Sequence, residues 1–600
     1  PMSWEKAKNK LLHELKQMIA SRAEPSHAVA LDALARTFFR NFPAEDLRDA
    51  KVDDLYGFIY GAFRSLQNWD LREPLVNIFS PDLEKHGWES NHSVVVVLCR
   101  DMPFLLDSAR GELNRRNANI HRLHGQNFGV ERDAEGNVSG ILGERESNVV
   151  SLIYFEIDRR TDAAEVEDMR QVLLDILSEV ACVVDDFGAM KEKLAEVTAM
   201  VAADKLVPKQ QREEHQAFLE WIDDNHMTLL GYECLGVHYS AGRPQVVEIE
   251  DTRLGLLELR NTSGRVDLAR DLESVSRDDG SMLDRQISFS KSRIRSRVHR
   301  FAYPDYIEVN QYDEQGNVIL QHRFMGLYTF AVYSESPSLI PIVRLKVRQV
   351  MAMSGLDMSN HEGRELARVL ELFPRDELFQ GTVDDLFRMS TAVNQLQERR
   401  KIRLFARPDV HGKFFSCMVY MPRDRYTTGK RVKIQNLLCD SLGGIESEFT
   451  TFFSESVLVR IHFVLLLDPS RKVEYELAEL EQAIVEMAQD WEDRLRERLI
   501  EEYGEELGAE YANRFGAAFP AGYKDAFDPR VAVMDLGRIL SVCAGRRLEM
   551  SFYRMVDEDD DHLRFRLFRK GVSLPLSDVL PILENLGLRV LAENPYGVRD

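Results

Sequence analysis

The amino-acid sequence predicts an α+β multidomain protein. Ferredoxin-like β-α-β-β-α-β modules repeat along it, joined by helices and by a separate β-rich segment. Three observations carry that expectation. The chain has 600 residues, and at about 150 residues per domain this is more than one hydrophobic core organises. Apolar residues make up 44% and charged residues 29%, the balance of a globular chain rather than a disordered one. Stretches beginning near residues 93 and 402 open the same alternation of strand-like and helix-like patterns.

The first 70 residues read as helices, with Leu11, Leu15, Met18 and Ile19, then Val29, Leu31, Leu34 and Phe38, at helical spacing. Leu55, Phe58, Ile59 and Phe63 mark another apolar stripe. Val94 to Leu98 is a continuous apolar run, as in a strand covered on both faces. Asp101-Met102-Pro103 puts a carboxylate and a proline where a helix should start, and Leu105, Leu106, Ala109 and Leu113 give that helix a buried face. Ile120 to Val130 reads as a strand, Asp133 to Gly140 as a turn, and Val149 to Ile157 as a strand. A helix carrying Val166, Met169, Leu173, Ile176 and Leu177 follows, and Cys182-Val183-Val184 closes the unit as a short strand. Such an order folds into one antiparallel sheet with both helices on one face. It leaves the other face to pack on something else, often a second copy.

Residues 187 to 225 read as helical and 226 to 335 as β-rich, with Val318 to Tyr333 the clearest strand. Helices return from Pro341 to Arg400. The second block has strands at Phe414 to Met421, Glu446 to Ser454 and Val457 to Leu467, a helix at Thr428 to Leu442, and a long charged helix from Lys472 to Glu502. A third block has a hairpin, Leu548 to Val556 and Leu563 to Phe568, around the acidic tip Asp557 to Asp561. It ends with a helix at Leu576 to Leu586 and a strand at Leu588 to Leu591.

A net charge of −22 repels phosphate backbones and argues against nucleic-acid binding. No apolar run approaches the roughly 20 residues that span a bilayer, so no membrane partner is expected. Cys99, Cys182, Cys234, Cys417, Cys439 and Cys543 are scattered without a CxxC pair, which fits reduced thiols in a cytoplasmic protein. No GxGxxG, Walker loop, HExxH or GxSxG motif occurs. No catalytic, cofactor or metal residue is therefore assigned; His121 and His124, three apart on a strand, lack metal spacing. On a strand, Lys291, Arg293, Arg295 and Arg297 would align on one face. They read either as an anion-binding surface or as an edge shielded by charge and paired with acidic neighbours. In Arg423 to Arg431, Thr427 or Thr428 reads as a helix N-cap, and the basic residues as contacts to other domains or subunits.

Five runs together resemble the N-terminal half of the large bacterial NAD-specific glutamate dehydrogenases. They are Asp101 to Ser108 (DMPFLLDS), Asp305 to Asn310 (DYIEVN), His322 to Thr329 (HRFMGLYT), Glu371 to Gln380 (ELFPRDELFQ) and Arg423 to Gln435 (RDRYTTGKRVKIQ). The resemblance implies ACT-like modules with a PAS-like segment between them. The implied organisation is an N-terminal helical region over 1–90, a first ACT-like domain over 91–187, and helices plus a PAS-like β-rich domain over 188–400. A second ACT-like domain over 401–505 and a helical linker with an incomplete third over 506–600 complete it. The implied reaction converts L-glutamate, NAD and water to 2-oxoglutarate, ammonium and NADH. The family's Lys-Gly-Gly setting is absent, so NAD and catalysis are expected beyond residue 600, with no cofactor in this segment. ACT modules bind amino acids near the first strand-helix loop, which makes Asp101, Pro103, Phe104, Asp107 and Ser108 the candidate effector site. Many such loops carry glycine where Phe104 stands. The competing reading has Asp101 capping the helix, Pro103 starting it and Phe104 in the core. Self-association through ACT-like sheets is expected, with allosteric regulation. The alternative function is a stand-alone ACT/PAS-type amino-acid sensor or scaffold without catalytic activity.

Overall fold

The computed structural model describes residues 2–48, 50–70, 72–143, 149–240, 243–260, 286–396, 399–409, 412–454, 456–468, 471, 473–553 and 563–599. They form two compact units, one of residues 1–397 with 408–414, the other of 398–407 with 415–600.

The first unit opens with three helices, α1 (Met2–Arg22), α2 (Pro25–Arg40) and α3 (Val52–Asn68). Next come β1 (Leu75–Phe79), the short α4 (Leu83–His86), β2 (Ser93–Arg100) and α5 (Leu105–Arg115). Then follow β3 (Ile120–Arg132), β4 (Val138–Leu142), β5 (Val149–Ile157) and α6 (Ala163–Asp185). The strands make an antiparallel sheet in the order β1-β2-β5-β3-β4.

Two expectations are corrected here. Cys182-Val183-Val184 lies inside α6, because the stripe Met169, Leu173, Ile176, Val180 continues through buried Val183 at helical spacing. The edge beside β2 is filled instead by β1, which precedes the unit in sequence. The region after Asp133 is a turn only to Asn137; Val138 already pairs with β3. The other sheet face does pack on something else, here the N-terminal helices of the same chain. Val94, Val96 and Leu98 of β2 and Val150, Leu152 and Tyr154 of β5 share a core with Leu31, Phe38, Ile59 and Phe63 of the N-terminal helices. Val95 and Val97 point the opposite way, as strand alternation requires, and are buried as well.

Helices α7 (Phe187–Ala203) and α8 (Lys209–Trp221) lead into a six-stranded sheet. Its strands are β6 (Met227–Ser240), β7 (Arg243–Glu248), β8 (Leu254–Gly255), β9 (Ile287–Lys291), β10 (Asp305–Tyr312) and β11 (Val318–Tyr328). The main path is β7-β6-β11-β10-β9. β11 stops at Tyr328, and Phe330–Ser334 is the helix α9 rather than more strand. β9 stops at Lys291, so residues 292–304 do not form the strand that would have aligned four cations. Helices α10 (Val343–Ser354), α11 (His361–Glu371), α12 (Arg375–Gln380) and α13 (Val383–Leu396) follow.

In the second unit β12 (Arg403–Pro408), β13 (Phe414–Pro422), α14 (Thr428–Leu442), β14 (Gly444–Phe453) and β15 (Leu458–Leu467) give a sheet in the order β12-β13-β15-β14. An edge strand again precedes the strand that enters the helix. The long helix expected from Lys472 to Glu502 is two, α15 (Leu477–Ala488) and α16 (Trp491–Tyr503), because Asp490 caps a fresh start in a reciprocal capping box with Asp493. Helices α17 (Glu505–Phe515), α18 (Ala521–Ala526) and α19 (Pro529–Cys543) pack on α16 around Trp491, Leu495, Leu499, Phe515, Phe519 and Leu536. The chain ends with the hairpin β16 (Glu549–Tyr553) and β17 (Arg564–Phe568) and with α20 (Leu576–Asn585). Leu588 to Leu591 is not a strand. The acidic tip Asp557 to Asp561 lies outside the described residues. None of the helices among the described residues is long and apolar enough to cross a membrane.

Candidate functional site

The loop from β2 into α5 carries the candidate effector residues, and tertiary contacts rather than helix capping shape it. The Asp101 backbone N–H donates to the Val149 carbonyl at 3.0 Å and extends the β2–β5 ladder. Its carboxylate Oδ1 accepts from Asn127 Nδ2 at 2.9 Å and from Ser151 Oγ at 3.0 Å. Asp101 is thus spent on β3 and β5 and does not cap α5, and Pro103 is an exposed turn residue rather than the first helical one. Phe104 holds the N-cap position at φ 71° without a side-chain cap, in the left-handed region that glycine favours. Its ring is half-buried rather than core.

What the loop holds is a second piece of the same unit. The Phe104 ring lies 4.9 Å from the His299 ring, centroid to centroid. The His299 backbone N–H donates to Ser108 Oγ at 2.9 Å. Asp107 bridges to Arg110 at 2.8 Å, and its other oxygen is 3.9 Å from His299 Nδ1. His299 also has a positive φ, 68°, so two non-glycine residues in left-handed conformations face each other. Burial, followed by the Arg300 charge, pushes the His299 pKa below its usual value, against the pull of Asp107.

The segment 292–304 that presents His299 is locked from both sides. Ser292 N–H donates to the Pro304 carbonyl and Ser296 N–H to the Ala302 carbonyl, each at 2.8 Å. Arg297 makes a bidentate pair with Glu179 of α6, at 3.2 and 2.5 Å. The Arg295 guanidinium sits 4.7 Å from the Tyr303 ring centroid. Lys291 is buried, 2.8 Å from Asp305 and 3.1 Å from Asp376. Burial opposes its charge, but the two carboxylates outweigh it and hold the pKa above the ordinary lysine value. Pairing with acidic neighbours is therefore what Lys291 and Arg297 do.

Thr427 caps α14, accepting from the Lys430 N–H at 3.1 Å. Arg425 pairs with Asp493 at 3.0 Å, and Lys430 Nζ donates to the Ala488 carbonyl at 2.8 Å. These basic residues are engaged inside the second unit. His124 is buried and 2.8 Å from the Phe38 carbonyl, whereas exposed His121 pairs with Asp158 at 2.7 Å.

Two groups escaped sequence reasoning. Arg323, fully buried on β11, lies between Glu308 of β10 at 3.2 Å and Glu233 of β6 at 3.1 Å. All three stand in register across neighbouring strands. Cys182, Asp186 and Glu258 bring ligand atoms within 4.8 Å of one another. There Asp186 Oδ2 already accepts from Gly255 N–H at 2.7 Å, and burial, then the nearby carboxylates, push the Cys182 thiol up to about 12.

Comparison with known proteins defines the modules. Five models match in chain order: the glutamate dehydrogenase ACT1 domain over residues 34–173, helical motif 1 over 340–399, the ACT2 domain over 403–492, helical motif 2 over 498–542, and the ACT3 domain over 547–600. The chain therefore carries glutamate dehydrogenase ACT domains and helical motifs. It is similar to the NAD-specific glutamate dehydrogenase of Halomonas elongata, 39% identical over 99% of this chain and 37% of that protein. The protein of the same description from Pseudomonas aeruginosa is 41% identical over 98% of this chain and 36% of its own length. That from Mycobacterium tuberculosis is 29% identical over 87% and 31%. The chain thus spans about a third of the length of the relatives it matches. A solved structure, PelD 156-455 from Pseudomonas aeruginosa PA14 in complex with c-di-GMP, is 13% identical, covering 67% of this chain and 98% of that one, at a TM-score of 0.11. That likeness carries no argument.

Proposed function

We propose that these residues are the regulatory and assembly part of an NAD-dependent glutamate dehydrogenase, which converts L-glutamate, NAD and water to 2-oxoglutarate, ammonium and NADH. One observation carries the reading: five glutamate dehydrogenase modules, all ACT domains or helical motifs, follow one another in order between residues 34 and 600. Hydride transfer needs a bound nicotinamide, a substrate at near-attack distance and a base. In this reading other residues of a longer protein supply those parts.

The regulatory element is the loop Asp101 to Ser108. An amino-acid effector whose carboxylate meets the start of α5 competes with His299, which Ser108 and Phe104 hold there. Binding then changes how the first ACT domain sits against the middle sheet, which is the PAS-like segment of this reading. Assembly uses the sheet edge at β14, where Ile445, Phe449 and Phe453 are exposed; an edge strand with exposed apolar side chains is a template for another chain.

Calorimetry against a panel of amino acids, with light scattering on the same samples, tests this. Saturable binding of at least one amino acid, and a species larger than the monomer at tens of micromolar, are expected. A folded monomer that gives neither heat nor a thermal shift with any amino acid would remove both halves of the proposal.

A further inference from the structure

We propose that the cavity between the N-terminal helices and the first sheet binds a small organic ammonium ion. This site is on the sheet face opposite α5 and α6 and is independent of the enzyme assignment. The cavity measures about 120 Å³; since about 150 Å³ accommodates benzene, it has room for a molecule of roughly five or six heavy atoms.

Its wall is aromatic. The Phe58 ring lies 4.8 Å from Tyr154, 5.2 Å from Phe38 and 6.3 Å from Trp88, all of which line the cavity. Such rings offer an apolar surface to an alkyl body and their negative faces to a cation.

The charges decide the ligand's sign. Among the described residues, Arg122 is the one cationic side chain of the lining, and it is committed to Glu156, with Nη1 and Oε2 3.1 Å apart. Glu156 is buried and also accepts from Ser90 Oγ at 2.9 Å and contacts His92 Nδ1 at 3.1 Å. That pair is self-contained. What remains is acidic: Asp54, in the first turn of α3, and Glu89 at the rim. Burial pushes the Asp54 carboxyl above its usual pKa, the Glu89 backbone N–H and Lys51 pull it back, and the charges of Glu89 and Asp53 raise it further. A cation placed between Asp54 and Glu89 relieves that repulsion. A carboxylate meets two acids and an arginine already engaged, and a neutral molecule gains only the wall. An ammonium group on a short alkyl chain uses every part of the lining.

The test uses the 600-residue chain with four probes: butylammonium, tetramethylammonium, butanol and butyrate. Calorimetry and thermal unfolding should show saturable binding of both ammonium ions, at least tenfold weaker binding of butanol, and none of butyrate. Asp54→Asn and Glu89→Gln should each weaken butylammonium about tenfold, the equivalent of about 1.4 kcal/mol. Asp53→Asn, at an exposed residue outside the lining that is paired with Arg22, should change the affinity less than about twofold, since its charge reaches the site only through solvent. Glu89 is exposed, so its variant reports even if Asp54→Asn does not fold. Equal affinity for butanol would make the cavity a packing void open to any apolar guest. Unchanged affinity in both variants would place ammonium binding elsewhere. Either result, or no binding of any ammonium ion, overturns the proposal.

Discussion

Replacing Arg323 by methionine removes a guanidinium that is 0% exposed from between two carboxylates of which each is 1% exposed. Glu308 keeps the Ser288 and Ser290 hydroxyls, at 3.2 and 3.1 Å, but neither it nor Glu233 keeps this cation. Tyr306, whose ring centroid lies 4.1 Å from the guanidinium, loses its stacked charge as well. Breaking a buried ion pair from one side costs about 3–5 kcal/mol, because a charge is left in low dielectric. The expected loss for Arg323→Met is therefore about 4 kcal/mol near pH 8.

Acid should soften that loss. A buried carboxylate without its cation has a folded pKa above its unfolded value of about 4.3. Its penalty is absent below the unfolded pKa and grows as pH rises through the folded one. The difference from wild type should be smaller at pH 5 than at pH 8. Thermal unfolding at both pH values, with hydrogen exchange of the β10 and β11 amides, reads it. Adding Glu233→Gln and Glu308→Gln should recover part of the stability. A loss below about 1 kcal/mol at pH 8, equal at both pH values, would refute the reasoning.

Three further outcomes are expected. A Cβ at Gly255 would lie 2.4 Å from the Leu230 carbonyl, at a φ of 61°, so Gly255→Ala should cost several kcal/mol (roughly 2–4) in thermal unfolding. Burial first, then Lys193, pulls the His322 pKa down to about 4. Its contribution to stability is complete above the unfolded value near 6.5 and is lost as pH falls toward the folded one, about 3 kcal/mol at most; melting curves of His322→Gln should lose that part of the acid dependence. Ser108→Ala removes the acceptor of the His299 N–H and should speed exchange of that amide about five- to thirtyfold, the equivalent of about 1–2 kcal/mol.

Local patterns were enough where a segment's own residues decide its state. Val94 to Val97 are all buried in β2, as an unbroken apolar run implies. α14 starts after the Thr427 cap and stops at Gly443 with a φ of 76°, so both ends are written in single residues. Where distant residues decide, the sequence is silent. Asp101 looks like a cap but is held by Asn127 and Ser151, 26 and 50 positions away. The edge strands β1 and β12 precede the strand that enters each module's first helix, and they gain their role only through pairing. Cys182 to Val184 is apolar and ends in two β-branched residues, yet it continues a helical stripe begun at Met169. The Glu233–Arg323–Glu308 row exists only once three strands are in register. The contact between Ser108 and His299 spans 191 positions, so the occupant of the candidate effector loop had no local signature.

We propose that these residues regulate and assemble an enzyme whose chemistry is performed elsewhere. NADH formation by the purified 600-residue chain, supplied with L-glutamate and NAD and followed by absorbance, tests it most directly. The account predicts no turnover above the blank. Turnover on the order of 1 per second, within the ordinary enzyme range, would contradict it by placing the nicotinamide site and the catalytic base within these residues.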